Sequence, residues 1–219
     1  ARGLLKDMDN IRNQGCVVIK HTNPCGAAID SSQKNAWINA LASDPESAFG
    51  CVVAFTTTVE KETAEAIGSH FLECIIAPGY TDEALEVLSQ KKNRRMLTMP
   101  EFLPRQEELR IRQLDGGWVA QIQGPPSIDW TEVKCVTKVV GDADLVSLAR
   151  FGSTVLSEVK SNSIVLVAIT ETGFATVGVG PGQTSRVEAV RIAARRAGDR
   201  AIGSMMVSDA FFPFRDGID

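Results

Sequence analysis

Six short runs of β-branched and apolar residues, at 16–20, 51–55, 74–77, 164–170, 176–180 and 204–207, alternate with helical periodicities at 32–42, 59–71, 82–91, 142–160 and 185–197. Each run is bounded by turn residues and is too short for a stable helix, so each is predicted to be a strand. Most are apolar at nearly every position, not every second one, which requires a sheet covered on both faces. Strands alternating with helices make this an α/β protein. Thr81, ahead of Asp82-Glu83-Ala84, is expected to cap a helix whose end is complemented by Lys91 and Lys92.

The alternation breaks between 93 and 138, where four prolines, Gly116-Gly117 and two of the three tryptophans fall. A long structureless loop is uncommon inside one compact domain, so this stretch is expected to be an irregular connector between two α/β halves. The expected division is 1–95, 96–140 and 141–219. Hydrophobic residues at 44% and charged residues at 23% exclude disordered and collagen-like chains. No apolar run approaches the roughly 20 residues of a membrane helix, and the opening Ala-Arg-Gly-Leu-Leu-Lys-Asp has no secretory core. A soluble, cytoplasmic protein is expected. A net charge of −4 gives no bulk attraction for nucleic acid or anionic lipid, so any anion must be met by a local site. The five cysteines include no Cys-x-x-Cys pair and lie mostly in or beside the strand-like runs; they are expected to be reduced core residues.

Four segments carry residues suited to chemistry. Lys20-His21-Thr22-Asn23-Pro24-Cys25-Gly26 is placed where a buried strand ends and a loop leading to a helix is expected to begin. His21 suits proton transfer at neutral pH, and Lys20 can lower its pKa or stabilise an oxyanion; the alternative is an ordinary Asn-Pro turn. Gly178-Val179-Gly180-Pro181-Gly182-Gln183-Thr184-Ser185-Arg186 joins a strand to an arginine-rich helix and fits neither the Walker nor the Rossmann spacing. Arg186 can fork a phosphate or carboxylate, whereas Arg191, Arg195, Arg196 and Arg200 are read as a solvated basic face. Ser208-Asp209-Ala210-Phe211-Phe212-Pro213-Phe214-Arg215-Asp216 can wall a flat heteroaromatic ligand, or plug a gap between subdomains. Ser161-Asn162-Ser163 can orient a substrate amide or simply cap. A zinc deaminase is excluded, since Pro24-Cys25 has Ala28 where a second cysteine belongs and neither histidine starts a His-x-Glu. No Gly-x-Ser-x-Gly elbow supports a serine hydrolase.

In this order the segments resemble the AICAR (aminoimidazole carboxamide ribonucleotide) transformylase part of the bifunctional purine-biosynthesis family. The matching pieces are Val-Ile-Lys-His-Thr-Asn-Pro-Cys-Gly-Ala-Ala (18–28), Ser-Asp-Pro-Glu-Ser-Ala-Phe-Gly (43–50), Ile-Ile-Ala-Pro-Gly-Tyr (75–80), Lys-Ser-Asn-Ser-Ile (160–164), and the two nine-residue segments at 178–186 and 208–216. The resemblance implies formyl transfer from the co-substrate 10-formyltetrahydrofolate to the 5-amino group of AICAR. It implies catalytic roles for Lys20, His21 and Asn162, nucleotide contacts from Asn23, Glu73, Gln183, Arg186, Phe211 and Asp216, and folate contacts from Phe49, Gly50 and Phe214. It further implies two cytidine-deaminase-like subdomains, a homodimer with a shared site, and a potassium ion near Ser161, Ser163 and Asp209, with no metal catalyst. Two of the family's segments, Arg-Tyr-Gly-x-Asn-Pro-His-Gln and Arg-x-Phe-x-His, do not occur in this sequence, and ring closure is not expected of it. The rival expectation is a non-catalytic relative that binds nucleotide or folate, or completes a site on a partner chain.

Overall fold

A computed structural model describes residues 14–100, 107–123, 128–138 and 140–217. β1 (Gln14–Lys20) and β2 (Asn23–Asp30) form a hairpin, followed by α1 (Gln33–Ala42), β3 (Cys51–Phe55), α2 (Lys61–Ile67), β4 (Leu72–Ala77), α3 (Asp82–Leu88) and β5 (Arg95–Thr98). A separate two-stranded ribbon follows, β6 (Glu108–Leu114) and β7 (Gly117–Gln123). The chain then makes α4 (Ala143–Leu156), β8 (Ile164–Ile169), β9 (Phe174–Gly180), α5 (Arg186–Ala197) and β10 (Met205–Ser208).

Eight strands share one sheet in the order β10-β8-β9-β2-β1-β3-β4-β5. β3, β4 and β5 run parallel, and every other neighbouring pair is antiparallel. The order is symmetric about the β9–β2 seam: on each side a hairpin, a helix and a third strand follow one another, and the third strand pairs with the first.

The continuous apolar character of the strands has its cause in this layering. Cys16 and Val18 point to a core shared with Trp37 of α1 and Ala64 and Leu88 of α2 and α3, while Val17 between them points to the opposite core, where Phe151 and Val155 of α4 pack. A third cluster places Ile164, Leu166 and Val177 against Ala189, Ala193 and Ala197 of α5. α1 and α5 lie close enough that the sheet beneath them has no room for side chains: a Cβ on Gly26 would stand 1.9 Å from the Ala40 carbonyl oxygen, and one on Gly180 1.9 Å from that of Ala189. Thr81 caps α3 as expected, its hydroxyl accepting from the Ala84 amide at 3.2 Å.

Several expectations are corrected. The segment after Lys20 is strand β2, not a loop; Pro24 is accommodated because it faces Ile19 at a break in register, where a missing N–H costs nothing. Part of the stretch expected to be irregular is regular, as β5 and the β6–β7 ribbon, whose Leu109, Ile111, Trp118 and Ile122 share one exposed face. α3 ends at Leu88, ahead of Lys91 and Lys92. Cys16, Cys25 and Cys51 are buried, but Cys135 is exposed. Among the described residues no helix is long and apolar enough to cross a membrane.

Candidate functional site

Strand direction decides where the candidate residues fall. Lys20 ends β1, and Asn23 begins β2. β3 is antiparallel to β1 and β4 parallel to β3, so Phe49-Gly50 before β3 and Glu73 at the start of β4 stand at that same end of the sheet. Pairing of Ile164 with Gly180 and with Ser208 brings the Ser161-Asn162-Ser163 loop, the Gln183 loop and Asp209 there too. One edge of the sheet thus carries, in spatial order, Asp209, Asn162, Gln183, Asn23, Lys20, Gly50 and Glu73.

His21 and Thr22 form the two-residue turn of the β1–β2 hairpin, with φ of 50° and 65°. Two successive positive φ angles match the right-handed twist of the strands, as in a type I′ turn. Such a conformation costs a β-branched residue of order 1–3 kcal/mol, and here it projects His21 from the tip into solvent. Lys20 is half-buried behind it, its Nζ donating to the Phe49 carbonyl oxygen. Phe49 in turn packs on Phe71 with ring centroids 5.0 Å apart, and Gly50, at φ 70°, sits beneath Phe71 and Glu73.

The hairpin tip forms one wall of an open cleft of about 830 Å³, a size suited to a small-molecule ligand. Lys20, His21, Asn23 and Cys25 face Pro181, Arg195 and Arg196, and Asp44 with the residues after it closes a third side. The side-chain oxygen of Asn23, Oδ1, is buried without a hydrogen-bond partner. Burial, and next the Asp44 carboxylate, push the Cys25 thiol up to about 11, which makes it a poor thiolate nucleophile at neutral pH. Cys51 is driven up to about 12, again chiefly by burial, with Cys25 beside it.

A second cluster lies further along the edge. Arg186 donates to Asn162 Oδ1 at 2.7 Å and to Ser208 Oγ at 2.9 Å, and pairs with Asp209. Asn162 Nδ2 donates to the carbonyls of Gln183 (3.0 Å) and Thr184 (3.2 Å), tying two loops together. Gln183 spends its own amide on the Pro181 carbonyl at 2.8 Å. Burial works against the Asp209 carboxylate, but hydrogen bonds from Arg186, Ser161 and the Ser163 amide outweigh it and hold its pKa below the ordinary value. Phe212 lies under the Arg186 guanidinium at 6.0 Å, whereas Phe211 and Phe214 are 81% and 73% exposed. The side chain of Asp216 lies outside the described residues.

The structure therefore gathers the candidates in two groups. Lys20, His21 and Asn23 line the cleft, but Asn162, Arg186 and Phe211 do not. Sequence reasoning missed Asp44, Arg195 and Arg196 as cleft residues. The two arginines read as a solvated face because α5 carries four of them, and periodicity alone does not say which face meets a cleft.

The AICARFT/IMPCHase bienzyme family matches residues 1–196. The chain is similar to the bifunctional purine biosynthesis protein PurH of Thermoanaerobacter sp., 39% identical over 219 residues that cover 100% of this chain and 42% of the relative. It is also similar to the proteins of that name from Sorangium cellulosum (44% identical over 206 residues, 92% of this chain, 38% of the relative) and Mesorhizobium japonicum (42% over 228 residues, 98% and 41%). The chain spans about two fifths of the length of these relatives.

Proposed function

As the chain belongs to the AICARFT/IMPCHase bienzyme family, we propose that it carries the family's formyl-transfer step, moving the formyl group of 10-formyltetrahydrofolate to the 5-amine of AICAR. The observation that carries this reading is the Lys20–His21 pair, raised on a strained hairpin tip at the wall of a ligand-sized cleft.

The chemistry needs both groups. The 5-amine is a weak nucleophile because its lone pair is delocalised into the ring. As its nitrogen bonds to the formyl carbon, the carbonyl oxygen becomes an oxyanion and the amine must lose a proton. His21 takes that proton, and the Lys20 ammonium stabilises the oxyanion. Collapse of the tetrahedral adduct breaks the bond from formyl carbon to folate N10, and the proton passes to the leaving nitrogen. The unpartnered Asn23 Oδ1 can accept from a substrate N–H in the same cleft. Phe49, Gly50 and Glu73 extend the edge beyond Lys20 in the direction assigned to folate and nucleotide.

Asn162 precedes β8, three positions from β1, and Arg186 follows β9, two positions from β1, separations of about 14 Å and about 10 Å at the usual strand spacing. Reacting groups must close to about 3 Å, so these residues serve the same amine only when supplied by a second copy of the chain. We therefore place the Lys20–His21 tip of one protomer against the Asn162–Arg186 corner of another, in a cytoplasmic homodimer whose two subdomains are each deaminase-like. A potassium ion near Ser161, Ser163 and Asp209 fits poorly: Arg186 and Ser161 already hold the Asp209 carboxylate, and the buried, unpartnered Ser163 hydroxyl is a single neutral ligand. No step is routed through it.

A second reading, binding without catalysis, is favoured by the engagement of Arg186 within the chain, three of its five N–H donors going to Asn162, Ser208 and Asp209. Formyl transfer measured beside AICAR binding separates the two. Turnover that falls by about 10²-fold or more in His21→Ala, with AICAR binding retained, supports catalysis. Binding by the parental chain with no turnover selects the second reading.

A further inference from the structure

We propose that the Asp44–Arg196 ion pair positions the Lys20 ammonium, acting through the turn that carries Phe49. The proposal rests on the reading above only in taking Lys20 as a catalytic group.

The pair crosses the seam of the sheet. Asp44 follows α1 on one side, and Arg196 lies in the last turn of α5 on the other. At the seam itself β2 and β9 share only two ladder pairs, Ala28 with Ala175 and Ile29 with Phe174. Thr176 extends the contact by one residue, its hydroxyl accepting from the Ala27 amide at 2.9 Å and donating to the Ala27 carbonyl at 3.2 Å. Towards Asn23 and Gly180 the ladder stops, and the cleft opens between Asn23–Cys25 on one side and Pro181 on the other. An ion pair across that opening fixes how far apart its sides stand.

Arg196 is anchored at both ends. Its NH1 donates to the Val179 carbonyl at 2.6 Å, and its Nε stands 3.0 Å from Asp44 Oδ2 in an ion pair, that oxygen being buried with no hydrogen bond of its own. Asp44 passes the constraint on. Oδ1 accepts from the Ser47 amide at 3.1 Å and the main-chain oxygen from the Ala48 amide at 3.1 Å, so one residue organises the whole turn. The next carbonyl, that of Phe49, receives Lys20 Nζ. His70 steadies the turn from behind through a 3.3 Å contact with the Ala48 oxygen. The direction of the ammonium is thus inherited from a turn whose position is set by a residue of the other half of the chain.

Energetics make the contact more than decorative. An exposed ion pair contributes little, but the Asp44 side chain is 6% exposed, and rupture of a buried pair strands a charge. A shift of about 1 Å in a catalytic group costs on the order of 10²-fold in rate.

The test compares Arg196→Met, Arg196→Lys and the double variant Asp44→Asn/Arg196→Met with the parental chain. Each is labelled with an amine-acylating N-hydroxysuccinimide ester, and rates at Lys20 and at the exposed Lys91 are read by peptide mass spectrometry beside formyl-transfer kcat and KM. Release of Lys20 in Arg196→Met raises its labelling rate about threefold or more with Lys91 unchanged, and lowers kcat about tenfold at constant KM for AICAR. Arg196→Lys restores both values. The double variant, which strands no charge, regains thermal stability but keeps the fast labelling and low kcat. Lys20 labelling at the parental rate in the double variant, or in a folded Arg196→Met, overturns the proposal. A parental chain without formyl transfer removes the catalytic reading instead, and the labelling ratio still decides the positioning role.

Discussion

Thr22 and His21 show why the tip of the hairpin was hard to read. Two-residue turns of this sense favour Asn-Gly or Asp-Gly, and a β-branched residue at positive φ is the opposite of that preference. With no turn dipeptide to mark it, and with Asn23-Pro24 next, the segment looked like the start of a loop. Its chemistry was legible all the same, since a lysine and one of two histidines sit side by side at a strand end. Asp209 is legible in the sequence as a carboxylate just after an apolar strand, but its pairing with Arg186 is not, because the two are 23 residues apart. Asp209 titrates lower in the folded chain than in the unfolded one, so it contributes stability above the ordinary carboxylate pKa of about 3.9, which is lost as pH falls through its depressed value. Urea midpoints between pH 7 and pH 3 should therefore fall more steeply for the parental chain than for Asp209→Asn, which starts lower at pH 7. Parallel curves would show that the carboxylate is not held by Arg186.

At the scale of elements, strands with β-branched content were identifiable and β2 was not. Asn23-Pro24-Cys25-Gly26-Ala27-Ala28 contains small residues because α1 lies directly on it, so the packing that demands the strand also removes its propensity signal. Gly26 is the clearest instance. A methyl group there meets the Ala40 carbonyl, which is backbone and cannot swing aside. Gly26→Ala is expected to cost about 3 kcal/mol, measured by urea unfolding, because α1 must lift from the sheet. Asp44, just past the end of α1, moves with it, so the same variant should label Lys20 faster. A loss within about 0.5 kcal/mol, the range of neutral surface changes, would mean that the helix is not seated as described. The β6–β7 ribbon is hard to read for another reason: prolines flank its two seven-residue strands on both sides, and Gly116-Gly117 marks a loop as readily as a hairpin turn.

For the molecule as a whole, the α/β class and the order of the motifs were open to sequence reasoning. The single eight-stranded sheet was not, since the β2–β9 seam rests on two residue pairs between segments about 150 positions apart. Only the strand order brings Asp209, Asn162, Gln183, Asn23, Lys20, Gly50 and Glu73 to one edge, and the length of that edge is the ground on which we assign the shared amine to two copies of the chain. The claim that Lys20 and Asn162 meet across two protomers is tested most directly by mixing two inactive chains, Lys20→Ala and Asn162→Ala, under conditions where subunits exchange. Heterodimers then contain one intact site, and the account predicts recovery of about a quarter of parental formyl transfer. Activity no greater than the sum of the two variants assayed separately, with exchange verified by mass, would contradict it.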